Sequence, residues 1–154
     1  MPSSFNDDST NSLIQTSIFK NNLVRVHFTK TNVTCHSLLD TGSAVNVISQ
    51  VTLDRILRSQ KYELLPATSL FRAVNNRPIM PVGKVKLRFQ VANQLFEDFF
   101  YIFDNTNHNI ILGVPFLKLS RAIINYDEMK LALPKSWGVH AVDNIQLAPR
   151  SSVM

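Results

Sequence analysis

Residues 83–91, GKVKLRFQV, alternate strictly between apolar and polar. Val85, Leu87, Phe89 and Val91 fall on one side of an extended chain, and Lys84, Lys86, Arg88 and Gln90 on the other. Successive side chains of a strand point to opposite faces. The stretch therefore reads as a strand with one packed face and one wet face. The run that follows, QLFEDFFYIFD (94–104), is dense in aromatics and reads as a buried strand. Shorter β-rich stretches precede this pair: Leu23–Phe28, then TNVTCHSLL (31–39) after a turn at Lys30–Asn32, then VNVIS (45–49). FRAVNNRPIMPV (71–82) predicts a hairpin with Asn75 and Asn76 at its tip, because Asn tolerates left-handed turns. IILG (110–113) is a short apolar strand stopped by glycine, and AIINYDEMKLAL (122–133) is a hairpin around Asp127 and Glu128. Only two stretches ask for helix. SQVTLDRILRS (49–59) has Ser49 as a cap and puts Leu53, Ile56 and Leu57 on one face, and VPFLKLS (114–120) has Pro115 near its start. No repeat recurs at a fixed period. The reading is a mostly-β domain with one or two short helices.

A length of 154 residues fits one domain with tails. Residues 1–20 are rich in Ser, Asn, Asp and Thr and are expected to be a flexible N-terminal segment. The domain is expected over 21–133. Residues 134–154, broken by Pro134, Trp137, Gly138 and Pro149, are expected to be a linker. The net charge of +5 comes from Lys and Arg placed singly on strand faces, without the interleaved aromatics that track a phosphate backbone. Nucleic acid is therefore not expected as the main partner. Cys35 is the only cysteine, so no disulfide can form within the chain, and a reducing, cytoplasmic setting is expected. No apolar run reaches membrane-spanning length, so no membrane partner is expected. His27, His36, His108 and His140 are scattered without metal-ligand spacing, and no metal or cofactor is expected.

The stretch SLLDTGSAVNVIS (37–49) puts one carboxylate, Asp40, between an apolar run and a turn of small residues. Buried alone, such an acid is costly. It can cap its own turn, bonding the amides of Gly42 and Ser43, or it can project into a cleft and do chemistry. Gly42 permits close backbone approach, and Thr41 and Ser43 offer hydroxyls. Peptide hydrolysis needs a base for the water and an acid for the leaving amine. Two adjacent carboxyls sharing a proton supply both, because like charges that close cannot both ionise. The chain holds no second Asp-Thr-Gly or Asp-Ser-Gly, so the second acid has to come from a second copy across a twofold axis.

LLDTGSAVNVIS, AVNNRPIMPVGKVKL and IILGVPFLKLSRAIINYDEMKLAL together resemble the retropepsin family of aspartic proteases. Within it they most resemble the proteases of gypsy-type long-terminal-repeat retrotransposons, over roughly Leu23 to Leu133. The resemblance implies a small closed β-barrel or sandwich active as a homodimer that cuts peptide or polyprotein substrates without a cofactor. It implies a setting in the cytoplasm or in virus-like particles. It implies Asp40 as the catalytic acid, Thr41 interlocked with its twofold mate, and Gly42 receiving the substrate backbone. Substrate contacts would come from Leu38, Ser43, Ala44, Val47 and Ile111, and from a flap tip at Ala73, Val74, Asn75 and Asn76. Gly113 would sit where the chain crosses behind the site. Many retroviral members carry Ala where this chain has Ser43. A hydroxyl on the ionised carboxylate would lower the pKa of the acid pair and place the activity optimum on the acid side of neutral. Retroviral members also pair an Asp at the position of Ala44 with an Arg at that of Val114. Both charges are absent here. The other functional class that fits is a catalytically weak retropepsin-like module kept for dimerisation or protein binding.

Overall fold

The computed structural model describes residues 14–18, 22–68, 71–72, 76–104, 106–135 and 138–142. Its longest strands are β7 (Gly83–Val91) and β8 (Gln94–Phe103), which pair antiparallel from Gly83–Ile102 to Val91–Gln94. The two residues between them, Ala92 and Asn93, both have positive φ. This is the twist that a two-residue hairpin needs. Val85, Leu87, Phe89 and Val91 are buried, as the alternation demands. On the opposite face Lys84 and Lys86 lie over the Phe99 ring, 4.9 and 5.9 Å from its centroid. Cations and aromatics thus interleave across two strands, where the chain order of either strand alone hides it.

Six strands close a barrel. From β8 the hydrogen-bonded order runs through β4 (Val47–Ser49), β9 (Ile110–Leu112), β3 (Val33–Leu39), β2 (Leu23–Phe28) and β7, and β7 returns to β8. β3 lies parallel to β9 and β4 parallel to β8. The barrel is filled by Val24, Val26, Ile48, Ile102, Ile110, Leu112 and a knot of rings. Phe89 packs on Phe96 and Phe100, at 5.8 and 5.4 Å between centroids, and Phe116 meets Phe96 edge-on at 5.2 Å. Burying one such ring stabilises by roughly 1.5–3 kcal/mol relative to exposure.

Two helices cover the barrel. The first, α1 (Gln50–Leu57), starts where Ser49 Oγ accepts the Thr52 amide, and it buries Leu53 and Ile56. The second, α2 (Val114–Ser120), has Pro at its start and drives Phe116 into the core. A separate sheet has the order β1 (Ile14–Ile18), β11 (Lys130–Pro134), β10 (Ile123–Asn125). A third, two-stranded sheet joins β5 (Phe71–Arg72) to β6 (Pro78–Ile79). The mostly-β barrel with two short helices is the architecture expected from the sequence.

Two strands lie outside the expected 21–133 range. β1 sits in the segment read as loosely ordered, yet it pairs with β11 along five residues. β12 (Val139–Ala141), in the segment read as linker, lies parallel to β8. His140 holds it there, its ring nitrogen 2.9 Å from the Gln94 amide oxygen and its ring stacked on Phe96. Neither strand has enough apolar content of its own to announce itself. Each is a strand because a finished sheet offers it an edge.

Candidate functional site

Asp40 follows the last residue of β3. Its amide continues the parallel ladder by donating to the Leu112 carbonyl at 3.0 Å. The chain then turns sharply. Ser43 N donates to the Asp40 carbonyl at 3.2 Å, and Gly42 N donates to Asp40 Oδ1 at 2.9 Å. The capping and the projecting roles open to an acid in such a turn therefore coexist: one carboxylate oxygen holds the turn, and Asp40 itself lines a cleft. A Cβ on Gly42 would meet that oxygen at 3.3 Å, a tight contact that would push the carboxylate by a few tenths of an ångström.

Gly113 packs directly behind the turn. A Cβ on it would lie 2.5 Å from the Val45 carbonyl and 2.6 Å from that of Ser43, well inside the contact distance of a carbon and an oxygen. Val114 N donates to the Ser43 carbonyl at 2.8 Å. Asn46, 1% exposed, locks the same place. Its Oδ1 accepts the Gly113 amide at 2.9 Å, and its Nδ2 donates to Asp98 Oδ2 at 3.1 Å and to the Phe99 carbonyl at 3.2 Å. Asp98 is itself buried, with its other oxygen on the Phe99 amide. Burial pushes its carboxyl above the ordinary range, against the pull of those two hydrogen bonds.

The cleft in front of the turn measures about 770 Å³. Leu38, Ile111 and Val47 stand side by side in its floor, in register across β3, β9 and β4. Phe71 and Ile79 overhang it from the β5–β6 arm. Phe71 anchors that arm by meeting Tyr101 and Phe103 edge-on at 5.2 and 5.8 Å. Arg72 Nη1 donates to the Asn76 carbonyl at 3.1 Å, and Asn76 has φ of 65°, a left-handed conformation that Asn tolerates. Another groove, of about 560 Å³, lies on the barrel flank between α1 and β7 and includes neither Asp40 nor its turn.

Of the residues singled out in the sequence, Leu38, Asp40, Ser43, Val47 and Ile111 meet in the cleft. Thr41 and Gly42 are exposed at the turn. Ala44 and Asn76 are exposed and stand outside the cleft lining. Ala73, Val74 and Asn75 lie outside the described residues. One expectation is corrected. The Ser43 hydroxyl donates to the Val45 carbonyl at 2.7 Å, two residues on, not to the Asp40 carboxylate, whose Oδ1 takes the Gly42 amide instead. Ser43 therefore gives no ground for an acid-shifted optimum. Sequence reasoning also missed Asn46 and Asp98. The signal was there: Asp98 has the parity of the inward rings Phe96 and Phe100, and an acid at such a position requires a buried partner.

No protein-family model matches the chain, and no curated protein is significantly similar to it. Solved structures do match. The retroviral protease-like domain of Ddi1 from Leishmania major aligns with a TM-score of 0.52 at 16% identity, over 76% of this chain and 96% of that one. The EIAV protease in complex with the inhibitor HBY-793 gives 0.53 at 15% identity, over 64% and 86%. A retropepsin-like aspartic protease from Rickettsia conorii gives 0.51 at 14%, over 78% and 89%. The fold is retropepsin-like. Within this retropepsin-like barrel no group of three or more His, Cys, Asp or Glu among the described residues could hold a metal ion. No helix among them is long and apolar enough to cross a membrane.

Proposed function

We propose that the chain is an aspartic endopeptidase that works as a symmetric homodimer, each copy contributing one Asp40. The observation that carries this is the setting of Asp40. It is an acid lining a cleft whose floor is apolar, on a turn pinned by Leu112, Gly42 and Ser43, in a retropepsin-like barrel. A second copy would bring its own Asp40 against the first, and the exposure of Thr41 and Gly42 beside it leaves them accessible to such a partner. β10 supports the same reading. It pairs on one side only among the described strands, and Ile123 at its outer edge is 63% exposed. An unpaired edge is a template for another strand.

In the dimer the two carboxyls share one proton. The ionised one takes a proton from a water held between them as its oxygen attacks the peptide carbonyl carbon. The protonated one gives its proton to the carbonyl oxygen. Collapse of the tetrahedral diol breaks the C–N bond: one diol hydroxyl returns its proton to the second carboxyl as the new acid forms, and the amine leaves with a proton from the first, which restores the shared-proton pair. The peptide lies extended, with bulky apolar side chains against Leu38, Val47 and Ile111. The β5–β6 arm acts as the flap. The substrate we propose is the polyprotein of a gypsy-type retrotransposon, on the sequence resemblance.

The test is cleavage of a peptide panel with bulky apolar residues at the cut, across pH, by wild type and Asp40→Asn, with sedimentation at several concentrations. Cleavage is expected to vanish in Asp40→Asn and to rise with the dimer fraction. Equal cleavage by both proteins overturns the proposal. A dimer that binds the peptides and never cuts them makes the chain the weakly catalytic binding module instead.

A further inference from the structure

Two rows of side chains line the cleft at different distances from Asp40. The inner row, Leu38, Ile111 and Val47, is apolar. β9 runs toward the Asp40 turn and β4 away from it, so Asn109 and Ser49 form an outer row one strand period further from the acid. Ser49 N donates to the Asn109 carbonyl at 3.0 Å, which joins the row. Ser49 pairs with Phe103, so Asp104, the next residue, stands at the same end. The Ser49 hydroxyl is occupied by Thr52. Asn109 and Asp104 are exposed, and among the described residues their side chains make no hydrogen bond.

The rows are about 6.8 Å apart, the interval at which an extended peptide repeats side chains on one face. Resting on the proteolytic reading, we propose that the cleft selects a two-part side-chain pattern. A bulky apolar residue sits against the inner row, and two positions away a side chain with N–H or O–H donors, such as Gln, sits against Asn109 and Asp104. An ionised Asp accepts only, and Asn both donates and accepts. Gln satisfies the two together. Leu would leave both desolvated and unpaired, and Glu would meet the Asp104 charge. The other charged or titratable groups at this end are Arg72, whose guanidinium is drawn to the Asn76 carbonyl, and the exposed His108.

The test is a set of three peptides identical except for Gln, Leu or Glu at the outer position. Each is cut by the full chain at one and the same pH. The Gln peptide is expected to have kcat/KM about tenfold above the other two. Asn109→Val should bring the Gln-to-Leu ratio to within about twofold, and Asp104→Asn should close most of the Gln-to-Glu gap. A wild-type ratio near one, or a ratio that neither variant moves, overturns the proposal. Binding to Asp40→Asn, read by fluorescence anisotropy of the same labelled peptides, carries the same ratio independently of turnover. If the chain prefers Gln in binding and cuts nothing, proteolysis fails and the selection stands.

Discussion

Replacing Asn46 by Ala should damage the site from behind. Three hydrogen bonds go at once: from the Gly113 amide, to the Asp98 carboxylate and to the Phe99 carbonyl. An orphaned buried amide costs about 1–3 kcal/mol, and a lost bond to a charged group about 1.5–3. The terms overlap, and water can reach the gap, so a loss of about 3–5 kcal/mol at pH 7 is expected. That is a large part of the 5–15 kcal/mol typical of a domain. The loss should depend on pH. Asp98 has a folded pKa above its ordinary value, so its burial penalty is absent below the ordinary carboxylate range. The penalty grows as pH rises toward the folded pKa. Removing Asn46 takes away a bond that lowers that pKa, so the ionised form suffers more. The destabilisation should be greater at pH 7 than at pH 4, by about 1 kcal/mol or more. Urea denaturation of Asp40→Asn and Asp40→Asn/Asn46→Ala at equal protein concentration measures it without self-cleavage. A loss below about 1 kcal/mol, or one equal at both pH values, refutes the reasoning.

Three further outcomes are expected. Gly113→Ala forces a Cβ against the Ser43 and Val45 carbonyls and should cost about 1–3 kcal/mol in thermal melts. It should also lower peptide cleavage by more than about tenfold, because the Asp40 turn must shift. Ser43→Ala should cost about 1 kcal/mol through the lost bond to Val45, and leave the activity–pH profile in place. A profile displaced by a full pH unit would mean that the hydroxyl reaches the carboxylate. Cys35 is 3% exposed, and burial raises its thiol pKa over the opposing charge of Arg55. A thiol reagent at pH 8 should modify the native chain at least about tenfold more slowly than the urea-unfolded one.

The β7–β8 hairpin, the Ser49-capped helix and the inward face of β7 could be read from local pattern, because each is decided by neighbours in sequence. The Asp40 turn was legible for the same reason: an acid, a glycine and two hydroxyls in four consecutive residues. β1 and β12 were not, since their edges are supplied by β11 and β8. Nor was the role of Asn46, whose partners lie 52, 53 and 67 positions away. The direction of the Ser43 hydroxyl depended on where the turn placed the Val45 carbonyl, a matter of backbone path. The polar outer row of the cleft was hidden because Asn109 and Ser49 become neighbours only when β9 and β4 lie side by side.

The clasp from Asp40 to Leu112, and the one from Asn46 to Gly113, also bear on the order in which the chain matures. Contacts between near neighbours close early in folding, and distant pairings wait, because they must overcome the entropy of a large loop. On the ribosome the β2–β3 hairpin can form while residue 40 is still unbraced, and the acid can be set only after residues 110–114 have emerged. On the proposed function, a nascent copy is therefore unarmed, and its cutting power arrives only with the last stage of barrel closure.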